Sequence, residues 1–217
     1  MLIDFSTINF DFMVRLFLLL FIGMGPVLAL IPFLQHTKQF DVKTQRAMGR
    51  RMVFIATTTS LVLFAFGAFL LRLLHISSPA AAVAGGIVLA YLGIAMVTKL
   101  STSKEEEFPV KEDPATIAVY PLAVPHLLNP VGMTILIVAS DEVVTLVGVA
   151  VVLTLVLLVF ALDFLVFTNV DKISRHLGPT AVVVSEIVLG FLLTAIAIQM
   201  VVIGLRSLGI ISTAGPQ

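Results

Sequence analysis

The sequence contains no cysteine, and only 12% of its 217 residues are charged. Without thiols there is no disulfide, no thiolate metal site and no cysteine nucleophile, and the redox compartment leaves no mark. The charged fraction is about half the roughly 25% of a soluble domain. A water-soluble globule of this length would lack the polar surface to cover itself. The charges also cancel, 13 basic against 13 acidic, which removes the electrostatic basis for nucleic-acid binding. Hydrolase, zinc-protease, P-loop and dinucleotide-binding signatures do not occur, and the four histidines have no metal-ligand spacing. No enzyme activity, cofactor or metal site is expected.

What is present is apolar. Hydrophobic residues make up 59% of the chain, and the mean hydropathy is +1.13. A helix needs about 20 apolar residues to cross the hydrocarbon core. Six runs meet that length, predicting spans at about 15–35, 52–74, 76–98, 114–140, 143–170 and 179–205. Long uninterrupted runs argue for helices, because membrane β-strands would show about ten-residue alternation instead. The first 15 residues hold Asp4, Asp11 and a single Arg15, so a retained first helix is expected rather than a signal peptide. The fold class predicted is all-α and polytopic, embedded in a lipid bilayer.

Basic residues set the orientation. Lys38, Lys43, Arg46, Arg50, Arg51, Lys99, Lys104, Lys111, Lys172 and Arg175 fall on one side of a six-span chain, and Arg15, Arg72 and Arg206 on the other. This bias predicts both termini outside and the polar loop 101–113 in the cytoplasm. That loop also divides the chain into three-span halves, 1–100 and 114–217. A shift of 100 residues aligns them: Arg72 with Lys172, Pro79 with Pro179, and Ile87-Val88-Leu89 with Ile187-Val188-Leu189. Three spans per half is an odd number, so the halves are predicted to enter the membrane from opposite sides as an inverted repeat, an architecture common among secondary transporters.

Spans one and four are interrupted in corresponding places. Span one carries Gly23, Gly25, Pro26 and Pro32; span four carries Pro121, Pro125, Asn129, Pro130 and Gly132. Each proline removes a backbone donor and pushes its predecessor out of the helical region. Broken backbone survives in a bilayer only where protein or a wet cavity satisfies it. Half-helix N-termini suit an anion such as a carboxylate, and freed carbonyls with the Asn129 amide suit an ammonium group or a cation. Gly25, Pro26, Asn129, Pro130 and Gly132 are therefore the expected substrate-binding residues.

The stretches 121–134 (PLAVPHLLNPVGMT) and 84–96 (AGGIVLAYLGIAM), with six spans in two halves, resemble the MarC family of six-helix inner-membrane proteins, grouped with LysE-type exporters. The resemblance implies an inner-membrane location and transport of small solutes, neutral amino acids among them. One difference from the family pattern is plain. There Asn-Pro-x-Gly lies in the first half and Gly-Pro-Gly in the second; here Gly25-Pro26-Val27-Leu28 comes first and Asn129-Pro130-Val131-Gly132 second.

Four further residues are candidates for ion coupling or a vestibule. Asp163 and Glu186 are the only acids inside the spans, where charge is costly and usually functional; both also lie near enough to span ends to be interfacial. His126 is one turn before Asn129, and Thr58 belongs to the polar run Thr57–Ser60, which has an ordinary packing role available to it. The expected function is secondary transport or export of a small polar solute, most simply a neutral amino acid. An inorganic-ion carrier or channel and a non-transporting membrane scaffold are the alternatives. A homo-oligomer is compatible with this reading.

Orientation has a direct test, because the chain has no cysteine of its own. In intact cells an impermeant thiol reagent is expected to label Gln217→Cys and to spare Ser103→Cys. The opposite pattern inverts the topology.

Overall fold

A computed structural model of the protein describes residues 10–99, 113–174 and 179–211. Residues 100–112 of the predicted cytoplasmic loop, both chain ends and the side chain of Glu186 lie outside the described residues. Among those described, the chain is helical without strands, an all-α polytopic membrane protein.

The first span is two helices, α1 (Phe10–Met24) and α2 (Pro26–Thr37), joined at Gly25. Next come α3 (Val42–Leu73) and α4 (Ser78–Lys99). The fourth crossing begins with the single turn α5 (Pro114–Ile117) and continues through a kinked stretch, Ala118–Leu127, in which Tyr120 (φ −134°, ψ 127°) and Val124 (φ −137°, ψ 124°) are extended ahead of Pro121 and Pro125. It resumes as α6 (Pro130–Glu142). Its two arms meet at 68°. Then α7 (Leu146–Thr168), the short α8 (Val170–Ser174) and α9 (Pro179–Ser207) complete the molecule. Among the described residues five helical spans are long and apolar enough to cross a membrane, and up to six if the bent pair counts as one span.

Helix α3 starts at Val42, well before its apolar run at Met52, because Asp41 caps it. The Asp41 carboxylate accepts from Lys43 N at 3.2 Å and from the Thr44 hydroxyl at 2.5 Å. The Thr44 hydroxyl, followed by the backbone N–H groups of Thr44 and Lys43, holds the Asp41 carboxyl below its usual range. A depressed pKa means that the cap acts at neutral pH and is lost only as pH falls through that lowered value. The extension puts Lys43, Arg46 and Arg50 on helix, where Arg46 pairs with Asp171 of α8 at 2.8 Å. At the other end of α3, Arg72 reaches Asp141 of α6 at 3.4 Å.

Lipid tails are as apolar as leucine, so membrane helices are held by close packing more than by burial. Helices α4 and α9 pack along their length and run antiparallel: Gly93 lies on Gly190, and Gly86 on the Ala197 carbonyl. A side chain on Gly190 would put its Cβ 2.9 Å from the Gly93 oxygen. Phe54, Phe66, Tyr91 and Phe191 point outward, as apolar rings do when lipid replaces water outside. Inside, Leu16, Leu20 and Met24 of α1, Ala29 and Phe33 of α2, Met52 and Ala56 of α3, Leu136 of α6 and Val159 of α7 form one buried core.

Gly190→Leu is expected to lower stability in detergent by about 1–3 kcal/mol, the usual cost of overpacking. Thermal unfolding checks it, with the outward-facing Ile198→Ala leaving the midpoint unchanged.

Candidate functional site

The two breaks are built alike. Gly25 (φ −94°, ψ 174°) and Asn129 (φ −85°, ψ 170°) are extended, and each is followed by a proline at the first position of a new helix. Proline suits that position, where its missing N–H has no partner to lose. Its cost falls one turn earlier. The Ile22 carbonyl would accept from the residue 26 N–H, and Pro26 has none. Buried in a membrane, that oxygen needs another donor.

Asn129 supplies it from across the molecule. Its Nδ2 donates to the Ile22 carbonyl at 3.1 Å, and its backbone N–H donates to the Gly23 carbonyl at 3.1 Å. Its Oδ1 accepts from Val131 N at 2.9 Å and from Gly132 N at 3.2 Å, capping α6. Met133 N donates to the Asn129 carbonyl at 3.0 Å, so the first turn of α6 has its donors satisfied. One buried side chain, 5% exposed, therefore fastens both breaks together.

Such contact requires backbone against backbone. A Cβ on Gly23 would lie 2.5 Å from Gly132 N, and one on Gly132 would meet the Gly23 oxygen. Only glycine permits that approach at both places. The breaks in spans one and four thus cross each other, and Gly25, Pro26, Asn129, Pro130 and Gly132 surround the crossing.

The half-helix termini differ. Helix α6 is capped by its own asparagine, so its N–H groups are not open to a solute in this state. Helix α2 follows Gly25, which has no side chain, and has no side-chain cap. On the α6 side a cavity of about 150 Å³ runs from Ser78, Glu142 and Ser207 at one end of the bundle inward to Thr134 and Val131, beside the crossing. Its mouth is fastened by Asp141, which accepts from the Ser78 hydroxyl at 2.8 Å and pairs with Arg72. Thr134, 7% exposed, was not among the sequence candidates; its signal is its place one turn into α6 from the Asn-Pro break.

The other candidates are dispersed. Thr58 lies on the exposed face of α3, bonded to its own helix at the Phe54 carbonyl, 2.9 Å. His126 lies in the kinked stretch before α6 with its ring 5.8 Å from that of His36. His36 looks like a loop residue in the sequence but belongs to the last turn of α2, bonded to the Pro32 carbonyl at 2.7 Å. Asp163 is fully buried on α7. Among the described residues no three His, Cys, Asp or Glu side chains form a metal cluster.

Comparison with known proteins places the chain in a family. The family model described as MarC family integral membrane protein matches residues 10–209. A UPF0056 membrane protein of Methanocaldococcus jannaschii is 26% identical over 200 residues, 91% of this chain and 98% of that one. The UPF0056 inner membrane protein YhgN of Escherichia coli K12 is 27% identical over 188 residues, 87% of this chain and 93% of its own. A UPF0056 membrane protein of Chlamydia muridarum is 30% identical over 183 residues, covering 82% and 86%. No solved structure matches the chain.

The Asn129 bridge can be read from a double-mutant cycle. Asn129→Ala removes a cap, about 0.5–2 kcal/mol, and strands the Ile22 carbonyl, about 1–3 kcal/mol. Pro26→Ala restores an N–H within reach of that carbonyl. The pair is expected to be non-additive by about 0.5–3 kcal/mol, with Pro26→Ala partly rescuing Asn129→Ala. Strict additivity in thermal or denaturant unfolding would separate the two residues.

Proposed function

The chain belongs to the MarC family of integral membrane proteins, and from that premise we propose that it is a secondary transporter of a small polar solute in the inner membrane, with neutral amino acids as the substrate class. The observation that carries the proposal is the cavity ending at Thr134 and Val131 beside the crossed breaks. Crossed, interrupted helices near mid-membrane are the kind of site that secondary transporters use. A volume of about 150 Å³ suits one small solute; drug-sized ligands occupy pockets of about 300–1,000 Å³. Hydroxyls of Ser78, Thr134 and Ser207 and the Glu142 carboxyl give a polar solute partners along a wall that is apolar elsewhere.

In this reading Asn129, Pro130, Gly132, Gly25 and Pro26 hold the crossing, and Thr134 touches the solute. Helix α2 begins at the crossing and runs away from the cavity, so a solute passing through meets its N-terminus, where the helix dipole favours a carboxylate. The antiparallel packing of α4 on α9 supports an inverted arrangement of residues 1–100 and 114–217 whose halves rock about the crossing. YhgN is named an inner membrane protein, and the basic-residue bias supports both termini outside.

Ligand-induced stabilisation of the detergent-purified protein tests the proposal. A neutral amino acid at 100 times its Kd is expected to stabilise by about 2.7 kcal/mol. Thr134→Val is expected to weaken binding about five- to hundred-fold, the loss of one or two hydrogen bonds at about 1–3 kcal/mol. Leu18→Ala, on the outward face, leaves it unchanged. Reconstituted protein is expected to show saturable, competable uptake. Stabilisation by inorganic ions alone would make the protein an ion carrier or channel, and neither binding nor flux would make it a scaffold.

A further inference from the structure

Asp163 has no part in the crossing, yet it is the most anomalous side chain in the core. It is 0% exposed, and neither carboxylate oxygen has a hydrogen-bond partner among the described residues. Two contacts set its depth. Gly49 of α3 packs on Phe167, with a Cβ on Gly49 falling 2.9 Å from the Phe167 Cβ, and Arg46 pairs with Asp171. These run in opposite senses along α3 and α7, so Asp163, one turn before Phe167, is level with Met52, Val53 and Ala56, all buried. On the other flank the Phe33 ring lies 5.0 Å from that of Phe167. Ala29, one turn before Phe33 and fully buried, brings α2 to the same level. The uncapped start of α2 at Gly25 is one further turn away, about 6 Å along the axis.

A carboxylate in such surroundings needs its charge cancelled, because an unpaired ion in an apolar interior costs several kcal/mol or more. The charged and titratable groups on the helices packed against α7 lie at other levels, except Arg50 and Arg51, which adjoin Met52 but are exposed on the outer face of α3. Lys43, Arg46, Arg50 and Arg51 of α3, His36 of α2, and Asp171 and Lys172 of α8 are all on the cytoplasmic side of Asp163. Asp11 and Arg15 of α1 and Arg72 of α3 are toward the opposite membrane face. None of them makes an ion pair with Asp163 among the described residues. A hard metal cation asks for six or more oxygen ligands, which methionine, valine and alanine do not offer. A proton needs one oxygen only.

We propose that Asp163 is the intramembrane proton-binding site of this protein and that its proton is the coupling ion of the solute cycle. The second half of the proposal rests on the transport reading above. The step is a single protonation, one H⁺ from cytoplasmic water forming one O–H bond on a carboxylate oxygen, with no other bond made or broken. With the proton bound, Asp163 is neutral and fits the contact between α2, α3 and α7. Once the proton leaves, the buried charge favours separation of α7 from α2 and entry of water, one turn from the crossing. Proton occupancy and the position of the first half-helix are thereby linked.

Two measurements on the full-length protein in lipid vesicles decide it. Infrared spectroscopy is expected to show a protonated-carboxyl C=O band that disappears in Asp163→Asn and persists in Glu142→Gln; a band unchanged by Asp163→Asn overturns the proton site. The second uses a neutral amino acid as probe, with the membrane potential clamped by potassium and valinomycin. A gradient of one pH unit supports about tenfold displacement from equal concentrations when one proton moves per solute. Asp163→Asn is expected to abolish that displacement while retaining exchange at equal pH, and gradient-driven uptake equal to the parent overturns the coupling role. Parent protein that exchanges no solute would defeat the transport reading and with it the coupling role, while the infrared band would still decide whether Asp163 binds a proton.

Discussion

A backbone carbonyl freed inside a bilayer has no water to turn to, and the arrangement of this protein follows from how two such carbonyls are satisfied. Pro26 deprives Ile22 of its helical donor, and the turn at Gly25 leaves Gly23 open. Asn129 answers both, one with its side chain and one with its own N–H, while its Oδ1 closes the start of α6. Neither break is tolerable alone; each is tolerable because the other lies against it. Gly23 and Gly132 are the steric condition for the contact, since the donors reach the carbonyls only if the two backbones touch.

From that crossing the rest can be laid out. Helix α6 leaves it toward one end of the bundle and α2 toward the other, so a cavity on the α6 side and a half-helix terminus on the α2 side are separated by a single layer of backbone. Glycine contacts such as Gly93 on Gly190 draw α4 and α9 together at one end of the pair, and the cavity lies toward the other end, between α1, α4, α6 and α9. The ion pairs at both ends of α3, Arg46 with Asp171 and Arg72 with Asp141, are exposed enough to contribute little to net stability. They are suited to fastening and releasing ends, because they can be exchanged for water at small cost.

Much of this was legible in the sequence, for identifiable reasons. Apolar runs mark spans because the bilayer imposes a length, and Pro26 and Pro130 mark breaks because proline's effect on the backbone is local. The Asp41 cap of α3 was local as well, but it was masked by the hydropathy signal, which begins at Met52. What lay beyond reading was the partner of each break. Sequence spacing cannot say that Asn129 meets Ile22, since that contact depends on how two helices cross. For the same reason His36 passed for a loop residue, and its ring contact with His126 was invisible. Thr58 looked polar and central, yet a threonine can satisfy itself on its own helix and face lipid, as this one does. The place of Asn129 in the second half also has a physical consequence: it caps its own half-helix, α6, and leaves α2 uncapped.

The central claim is that the two breaks satisfy each other, and amide hydrogen exchange of the protein in lipid nanodiscs tests it most directly. The backbone N–H groups of Asn129, Val131 and Gly132 are each committed to an acceptor at or across the crossing, so the account predicts protection comparable to that of the core of α7. Exchange at those three amides as fast as in the exposed turn around Gly209 would contradict it, because the breaks would then be solvated separately instead of satisfying each other.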